Sequence, residues 1–203
     1  MNWSLVWQYT AANALLGVLP AVIGLAVALP LGVASARYPR FVYPPVLSVT
    51  TILYSIPSLA LFVVLIDYTG LSNTTVIIPL ALFSLCILVP SVVDGLRSVA
   101  PPVRQAATAM GFGPLRRLVR VELPLALPVI IAGLRIAVVS SISLASVGQL
   151  IGVSSLGYFF IDGLQRSFPE EIYVGGAAII LLALVCDLLL VGVRRLATPW
   201  SRR

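Results

Sequence analysis

The stretch Gln105–Pro124, QAATAMGFGPLRRLVRVELP, is a long polar and basic interval between two very apolar halves of the chain. The runs on either side of it are apolar enough to lie in lipid. Only 10% of the 203 residues are charged, whereas a soluble domain carries about 25%. So few charges cannot cover a surface that faces water, and the composition predicts an integral membrane protein. Gln105–Pro124 is then expected to lie in the water beside the membrane.

Outward from this interval, the apolar runs predict five membrane-spanning helices in a single all-α domain. The predicted spans are residues 11–36, 44–66, 76–96, 125–151 and 172–193. The first ten residues include three aromatic side chains and suit a short anchoring turn at a membrane interface. Residues 152–171 are predicted to form a longer and less apolar loop. The interval 101–124 connects the third span to the fourth.

All thirteen basic residues are arginines, and their distribution predicts the orientation of the helices. Five spans place alternate connections on the same side of the membrane. One side collects residues 37–40, residues 97–120 and the C-terminal tail, which together hold eleven of the thirteen arginines. Basic residues concentrate in cytoplasmic connections. The N-terminus is therefore predicted to lie outside the cell, and residues 97–124 and the C-terminus in the cytoplasm.

The residue types that the sequence lacks exclude several functions. It has no histidine and no lysine, which excludes histidine metal sites and the G-x-x-x-x-G-K-[ST] loop that binds ATP phosphates. No nucleophile–base pair or metal-binding cluster is visible, so neither an enzyme nor a metal site is predicted. Nucleic-acid binding needs a soluble basic face, whereas these arginines lie between apolar runs. Cys86 and Cys186 lie inside such runs and are predicted to be core residues rather than a disulfide.

Two charged residues are predicted to lie inside the membrane. Arg135 is about ten residues into the fourth span, and Asp187 is about six residues before Arg194 in the fifth. At 1.5 Å per residue, both lie roughly 10–15 Å from the cytoplasmic end. A lone charge at that depth is unfavourable, so such residues usually face the bundle interior and pair. We predict an Arg135–Asp187 ion pair, with Asp94 as a competing partner and contact with a substrate or ion as the alternative role.

Small polar residues mark two further places in the spans. The run SSISLASVGQ includes Ser140 and Ser143, and Ser55 and Ser58 flank the helix-breaking Pro57. Small residues let membrane helices approach closely. A broken helix beside small polar side chains is also a common way to line a cavity at the membrane midplane. Close packing and a polar translocation path are both open interpretations of these residues.

The interval 101–124 is predicted to contain two short helices at an angle. Two prolines open it, and alanines favour a helix as far as Met110. Gly111–Pro114 is a tight turn, because glycine permits positive φ and proline suits the first position of a new helix. Apolar side chains ringed by arginines are then expected to face the water: Ala106, Ala107, Met110 and Phe112. Docking to another protein and lying on anionic lipid both fit this arrangement.

The spacing within the interval resembles the EAA loop of ABC importer permeases, whose pattern is E-A-A, three residues, Gly, nine residues and I-x-L-P. Here Gln105-Ala106-Ala107 is followed by three residues, Gly111, nine residues and VELP. Valine for isoleucine is a minor departure, whereas Gln105 for Glu removes a charge. The resemblance implies a type I ABC importer permease fold, in which this loop is the coupling helix that docks on an ATPase subunit. The implied coupling residues are Gln105, Ala106, Ala107, Met110, Gly111, Phe112, Leu123 and Pro124.

A narrower resemblance covers nearly the whole chain. Ser55–Leu61, Val121–Ile130, Ala132–Arg135 and Leu181–Asp187 are similar to permeases of glycine betaine, carnitine and choline importers. The stretch Ile151–Gly157 has serines where that family usually has glycines. The resemblance implies a multi-pass protein of the bacterial cell membrane that forms the translocation path for such osmoprotectants.

This resemblance also implies the partners. They are cytoplasmic ABC ATPase subunits that carry the ATP and magnesium, a second permease subunit that is identical or paralogous, and an extracytoplasmic substrate-binding protein. The chain itself is expected to bind membrane lipid, no nucleic acid and no cofactor. Two alternatives remain at this stage: a permease for another small solute such as an amino acid, and a membrane scaffold with no transport role.

Overall fold

The computed structural model describes residues 3–202, and within them the chain forms helices joined by turns, with no strand. The all-α class predicted from the apolar runs is confirmed. The helices are α1 (Trp3–Arg37), α2 (Tyr43–Ser55), α3 (Ser58–Thr69), α4 (Asn73–Arg97), α5 (Pro101–Ala109), α6 (Pro114–Arg117), α7 (Leu123–Ala145), α8 (Tyr158–Gln165) and α9 (Pro169–Ala197). A π-helical turn joins α6 to α7, and 3-10 turns follow α7 and α9: Leu118–Glu122, Ser146–Ile151 and Pro199–Arg202.

Helices α1 and α4 pack side by side and run in the same direction. Gly24 of α1 lies against Ser84 of α4, and Gly32 lies against Val92. Eight residues further along α1 the contact has moved eight residues further along α4, which requires parallel packing. A Cβ atom at either glycine would overlap the partner side chain. The two glycines therefore let the helix axes approach closely, as small residues do in membrane bundles.

Because α1 and α4 are parallel, the chain must cross back between them, and the bent pair α2–α3 makes this crossing. The two helices meet at 92°. Pro57 causes the break, because it has no N–H to donate and restricts Ile56 to an extended conformation (φ −75°, ψ 128°). By length and composition, four single helices can span a membrane, and the bent pair counted as one span gives up to five.

Helix α7 packs against α1, α4 and α9 and runs antiparallel to α4. Gly95 near the end of α4 lies against Ala126 near the start of α7, and Gly133 further along α7 lies against Ser91. Helix α9 packs on the outer side of α7. Only 6% of the most apolar 18-residue stretch of α9 is buried within the chain, compared with 50% of the corresponding stretch of α4. The face of α9 that points away from α7 is therefore left to lipid or to another subunit.

The buried side chains form three clusters along the bundle axis. The first includes Leu16 of α1 and Phe62 of α3 and lies near the 3-10 turn Ser146–Ile151, which follows α7. The second surrounds Leu88 and Ile142 in the middle, and the third includes Leu96 at the end of α4. In lipid, such clusters hold helices together through van der Waals packing rather than through exclusion of water.

Three predicted boundaries differ from the structure. The anchoring turn at residues 1–10 is wrong for residues 3–10, which form the first turns of α1; residues 1 and 2 lie outside the described part. The second span, residues 44–66, is a bent helix pair rather than one helix. Residues 152–171, predicted as a loop, contain α8 and the first turn of α9. Sequence periodicity is weak in such short segments, where tertiary contacts supply the helical order.

Candidate functional site

The interval 101–124 forms a helical hairpin whose turn depends on glycine. Helix α5 ends in a Schellman motif: the Gly111 N–H donates to the Thr108 carbonyl (3.0 Å) and the Phe112 N–H donates to the Ala107 carbonyl (3.1 Å). Gly111 has φ +82°, a left-handed conformation that residues with a Cβ rarely adopt. The turn redirects the chain into α6, and the predicted first helix and tight turn are present. The second predicted short helix is instead the first part of a longer one, because α6 continues through the π turn into α7.

Arg117 holds the two arms of this hairpin together. Its Nε donates to Glu122 Oε1 at 2.7 Å, and its Nη1 donates to the Thr108 hydroxyl at 2.9 Å. Arg104 donates from Nε and Nη2 to the Val99 carbonyl, which anchors α5 to the end of α4. The hairpin is therefore tied both to itself and to the membrane helices. A force applied to α5 would be transmitted to α4 and α7.

The predicted coupling residues are not all on the surface of the hairpin. Met110 is 69% exposed, and the guanidinium of Arg116 covers the half-buried Phe112 ring at 4.8 Å. Ala107 is only 1% exposed. It supports α5 from inside, so its predicted place among the water-facing side chains is wrong. Of the remaining predicted residues, three are exposed and two are half-buried: Gln105, Ala106 and Gly111, then Leu123 and Pro124.

Arg135 and Asp187 lie in contact, as the sequence predicts. Nε of Arg135 donates to Oδ1 and Nη2 donates to Oδ2, each at 2.7 Å, which is the bidentate geometry that suits a guanidinium and a carboxylate. The two side chains are 29% and 26% exposed. They line an open groove of about 340 Å³ between α7 and α9, together with Ser140. Asp94, the competing partner, is exposed and takes no part in this pair.

The four predicted path serines lie on three helices, α2, α3 and α7. Ser140 is half-buried in the groove beside the ion pair, and Ser143 is exposed one turn further along α7. Ser55 and Pro57 are exposed at the break between α2 and α3, where the Ser55 hydroxyl donates to a carbonyl of its own helix. Ser58 is half-buried at the start of α3. The groove that holds Ser140 does not include the residues at the α2–α3 break.

A buried polar group that the sequence analysis missed ties α1 to the segment after α7. Asn13 is fully buried; its Nδ2 donates to the Ile142 carbonyl (3.1 Å) and its Oδ1 accepts from the Leu156 N–H (3.3 Å). The nearby Tyr9 ring stacks on Tyr158 of α8, with centroids 4.8 Å apart. The sequence held one sign of this contact, an asparagine inside an apolar run. A polar side chain that is buried in a membrane needs a hydrogen-bond partner within the protein.

Comparison with known proteins gives the class of this chain. Residues 28–203 match the family described as the inner membrane component of binding-protein-dependent transport systems. The chain belongs to that family. It is 33% identical to the glycine betaine/carnitine/choline transport system permease protein OpuCD of Bacillus subtilis, over 100% of this chain and 88% of that protein. It is 34% identical to the osmoprotectant import permease protein OsmW of Salmonella typhimurium, over 97% of this chain and 91% of that protein.

Solved structures support the same fold. A chain of the MetNI methionine ABC transporter in an inward-facing conformation superposes with a TM-score of 0.83, covering 97% of both chains at 20% identity. A chain of an amino acid ABC transporter gives a TM-score of 0.74, covering 95% of this chain and 94% of that one, also at 20% identity. The resemblance to ABC importer permeases that the sequence indicated is therefore confirmed at the level of family and fold.

Proposed function

We propose that this chain is the permease subunit of an ATP-driven importer of osmoprotectants such as glycine betaine, carnitine, choline or proline betaine. The observation that carries the proposal is the hairpin at residues 101–124, whose spacing matches the E-A-A motif. The hairpin lies at the arginine-rich end of the bundle, the end where α1 and α4 finish at Arg37 and Arg97. The named functions of relatives at 33% and 34% identity support the substrate class. The chain would work without a cofactor of its own, because ATP and magnesium would bind the partner ATPase.

In this proposal the hairpin docks on the ATPase in the cytoplasm. The exposed Met110 and the adjoining Ala106 and Gln105 would enter a groove on that subunit. The Arg117 contacts and the Schellman turn make the hairpin stiff, so that movement of the ATPase would be passed on as rotation of α4 and α7. The N-terminus would lie outside the cell, as the arginine distribution favours.

A second permease subunit would complete the translocation path. The exposed Ser55 at the α2–α3 break and the groove beside Arg135 and Asp187 are surfaces that a single chain leaves open. Across a subunit interface they would supply hydroxyl groups to a solute in transit. Selection of the solute would rest on a separate extracytoplasmic binding protein, where aromatic side chains can enclose a quaternary ammonium group.

The coupling role is tested by Gly111→Pro in the permease expressed with its ATPase and binding protein. Proline cannot adopt φ +82° and cannot donate to Thr108. We expect ATPase co-purification and solute uptake to fall at least tenfold, while helix content measured by circular dichroism is unchanged. The matched control is Gly113→Ala, in the same turn, where a Cβ meets nothing within 4 Å. Normal ATPase binding and uptake by Gly111→Pro would contradict the coupling role.

The substrate class is tested by competition. Uptake of labelled choline should be inhibited by excess glycine betaine or carnitine and not by excess methionine. Inhibition by methionine or another amino acid alone would favour the amino-acid importer. No uptake of any of these solutes, together with no ATPase association, would favour a scaffold.

A further inference from the structure

A cavity of about 270 Å³ opens at the arginine-rich end of the bundle. Its walls come from the last turns of α1 and α4, from α5, and from α6 with the following π turn. Four arginines and one glutamate line it, and its remaining walls are mostly apolar: Arg37, Arg97, Arg104, Arg117 and Glu122. The cavity is distinct from the exposed surface of the hairpin that we assign to the ATPase, because it lies on the side of the hairpin that faces the membrane helices.

The charges in this cavity do not balance. Glu122 pairs with Arg117, so one positive charge is compensated. Arg37, Arg97 and Arg104 form no ion pair with any carboxylate in residues 3–202. Three uncompensated guanidinium groups around one cavity repel each other, and an anion between them would relieve this repulsion.

Two of these three arginines are held in place by the fold. The Arg97 guanidinium lies over the Tyr43 ring, 5.1 Å from its centroid. The Arg104 guanidinium donates two hydrogen bonds to the Val99 carbonyl. Neither contact neutralises a charge, and both limit the movement of the side chain. Such orientation lowers the entropic cost of binding a ligand.

The position of the cavity indicates what kind of anion it suits. Arg37 and Arg97 end α1 and α4, two helices that are long and apolar enough to span a membrane. The cavity therefore lies at the level where phospholipid headgroups meet water. Guanidinium groups match phosphate oxygens in geometry, and basic pockets between membrane helices bind anionic lipid headgroups.

We propose that this cavity binds a phosphate group, carried either by an anionic phospholipid headgroup or by a soluble phosphate ion. The bound phosphate would bridge the ends of α1 and α4 to the hairpin through Arg37, Arg97 and Arg104. It would hold the hairpin at a defined angle to the bundle, which gives the surrounding lipid an influence on coupling that is separate from ATPase docking.

The test uses the full-length permease in detergent micelles, with thermal unfolding followed as phosphatidylglycerol, phosphatidylcholine or inorganic phosphate is added. We expect phosphatidylglycerol to raise the unfolding temperature and phosphatidylcholine to have a much smaller effect. Arg37→Gln should weaken the apparent affinity for phosphatidylglycerol about fivefold, and Arg37→Gln with Arg97→Gln roughly twenty-fold. The Arg37 side chain makes no hydrogen bond, ion pair or ring contact within residues 3–202, so the single variant should fold normally.

Arg40→Gln is the matched control, because Arg40 is exposed three residues after Arg37 and does not line the cavity. It should keep the wild-type response. Stabilisation by inorganic phosphate at millimolar concentration, lost in the same variants, would identify the soluble ion as the source. Equal stabilisation by both lipids, or a full phosphatidylglycerol response in the double variant, would overturn the proposal. So would loss of ATPase co-purification in the double variant without any response of the wild type to either phosphate source.

Discussion

The hairpin turn at residues 110–113 and the segment before α8 accommodate small and polar residues in opposite ways. At the arginine-rich end, Gly111 and Gly113 have open space around them, and Met110 is 69% exposed. At the other end, a Cβ atom at Gly157 would overlap the Ser146 carbonyl oxygen, and the polar Asn13 is fully buried. The hairpin turn is shaped for a molecule outside the chain, and the segment before α8 for contacts within it.

This difference distinguishes a glycine that a functional turn requires from a glycine that close packing requires. A glycine that nothing in the chain crowds needs another explanation, which for Gly111 is the backbone conformation of a turn that presents a surface. A glycine against a neighbouring backbone is explained by the fold itself. Four substitutions test how each of these residues contributes to stability or to ATPase binding.

Gly157→Ala should have the largest effect on stability. Gly157 is in the αR region (φ −57°, ψ −21°) and Gly113 is extended (φ −64°, ψ 163°), and alanine is sterically allowed in both conformations. The difference that matters is what surrounds the added Cβ atom. We expect Gly157→Ala to lower the free energy of unfolding by about 3 kcal/mol, and Gly113→Ala to change it by less than about 0.5 kcal/mol. Denaturant unfolding of the full-length permease in detergent measures both. Equal effects would remove the distinction between the hairpin turn and the segment before α8.

Asp187→Asn should have the next largest effect, because it leaves the Arg135 guanidinium without its carboxylate. Both side chains are about a quarter exposed, so we expect a loss of about 2 kcal/mol, less than for a fully buried pair. The charge-swapped variant, Arg135→Asp with Asp187→Arg, should recover most of the loss in the same unfolding measurement. Recovery of stability without recovery of uptake would show that the groove also serves the solute. No recovery of stability would contradict a pair that acts only to join α7 and α9.

Arg117→Gln should affect the hairpin more than the bundle. It removes the contacts with Glu122 and Thr108, which together contribute about 1 kcal/mol. We expect ATPase co-purification to fall several-fold because the angle between α5 and α6 is no longer held. Arg120→Gln removes an exposed arginine from the same segment and serves as the control. Equal loss in both variants would mean that charge, rather than hairpin geometry, is what matters.

Gln105→Glu should have the smallest effect. Gln105 lines an open groove with Arg104 and Arg117, so a carboxylate there would be attracted by two arginines in a solvent-exposed setting. The expected gain in stability is about 0.3 kcal/mol and should disappear at high salt. Unfolding at low and high ionic strength measures it. A large change in ATPase binding at unchanged stability would instead make position 105 a direct contact with the partner.

Local signals in the sequence predicted some features of the structure and missed others. The five apolar runs and the hairpin turn followed from composition, proline and glycine, because these signals are local. The Arg135–Asp187 contact followed from the cost of an isolated charge in lipid. The burial of Ala107 could not be predicted, because the pattern of residues in α5 does not indicate which face of the helix packs against the rest of the chain. Helix α8 was missed because its eight residues are too few to show a clear helical pattern of apolar and polar positions.

Residue types and their spacing along the chain were enough to predict the membrane class, the arginine asymmetry and the hairpin motif. The packing of the helices was needed to show that α1 and α4 are parallel, that Asn13 ties α1 to the segment before α8, and that three uncompensated arginines surround one cavity. These features join residues far apart in the chain. Their distances depend on how the helices pack, which no local pattern specifies.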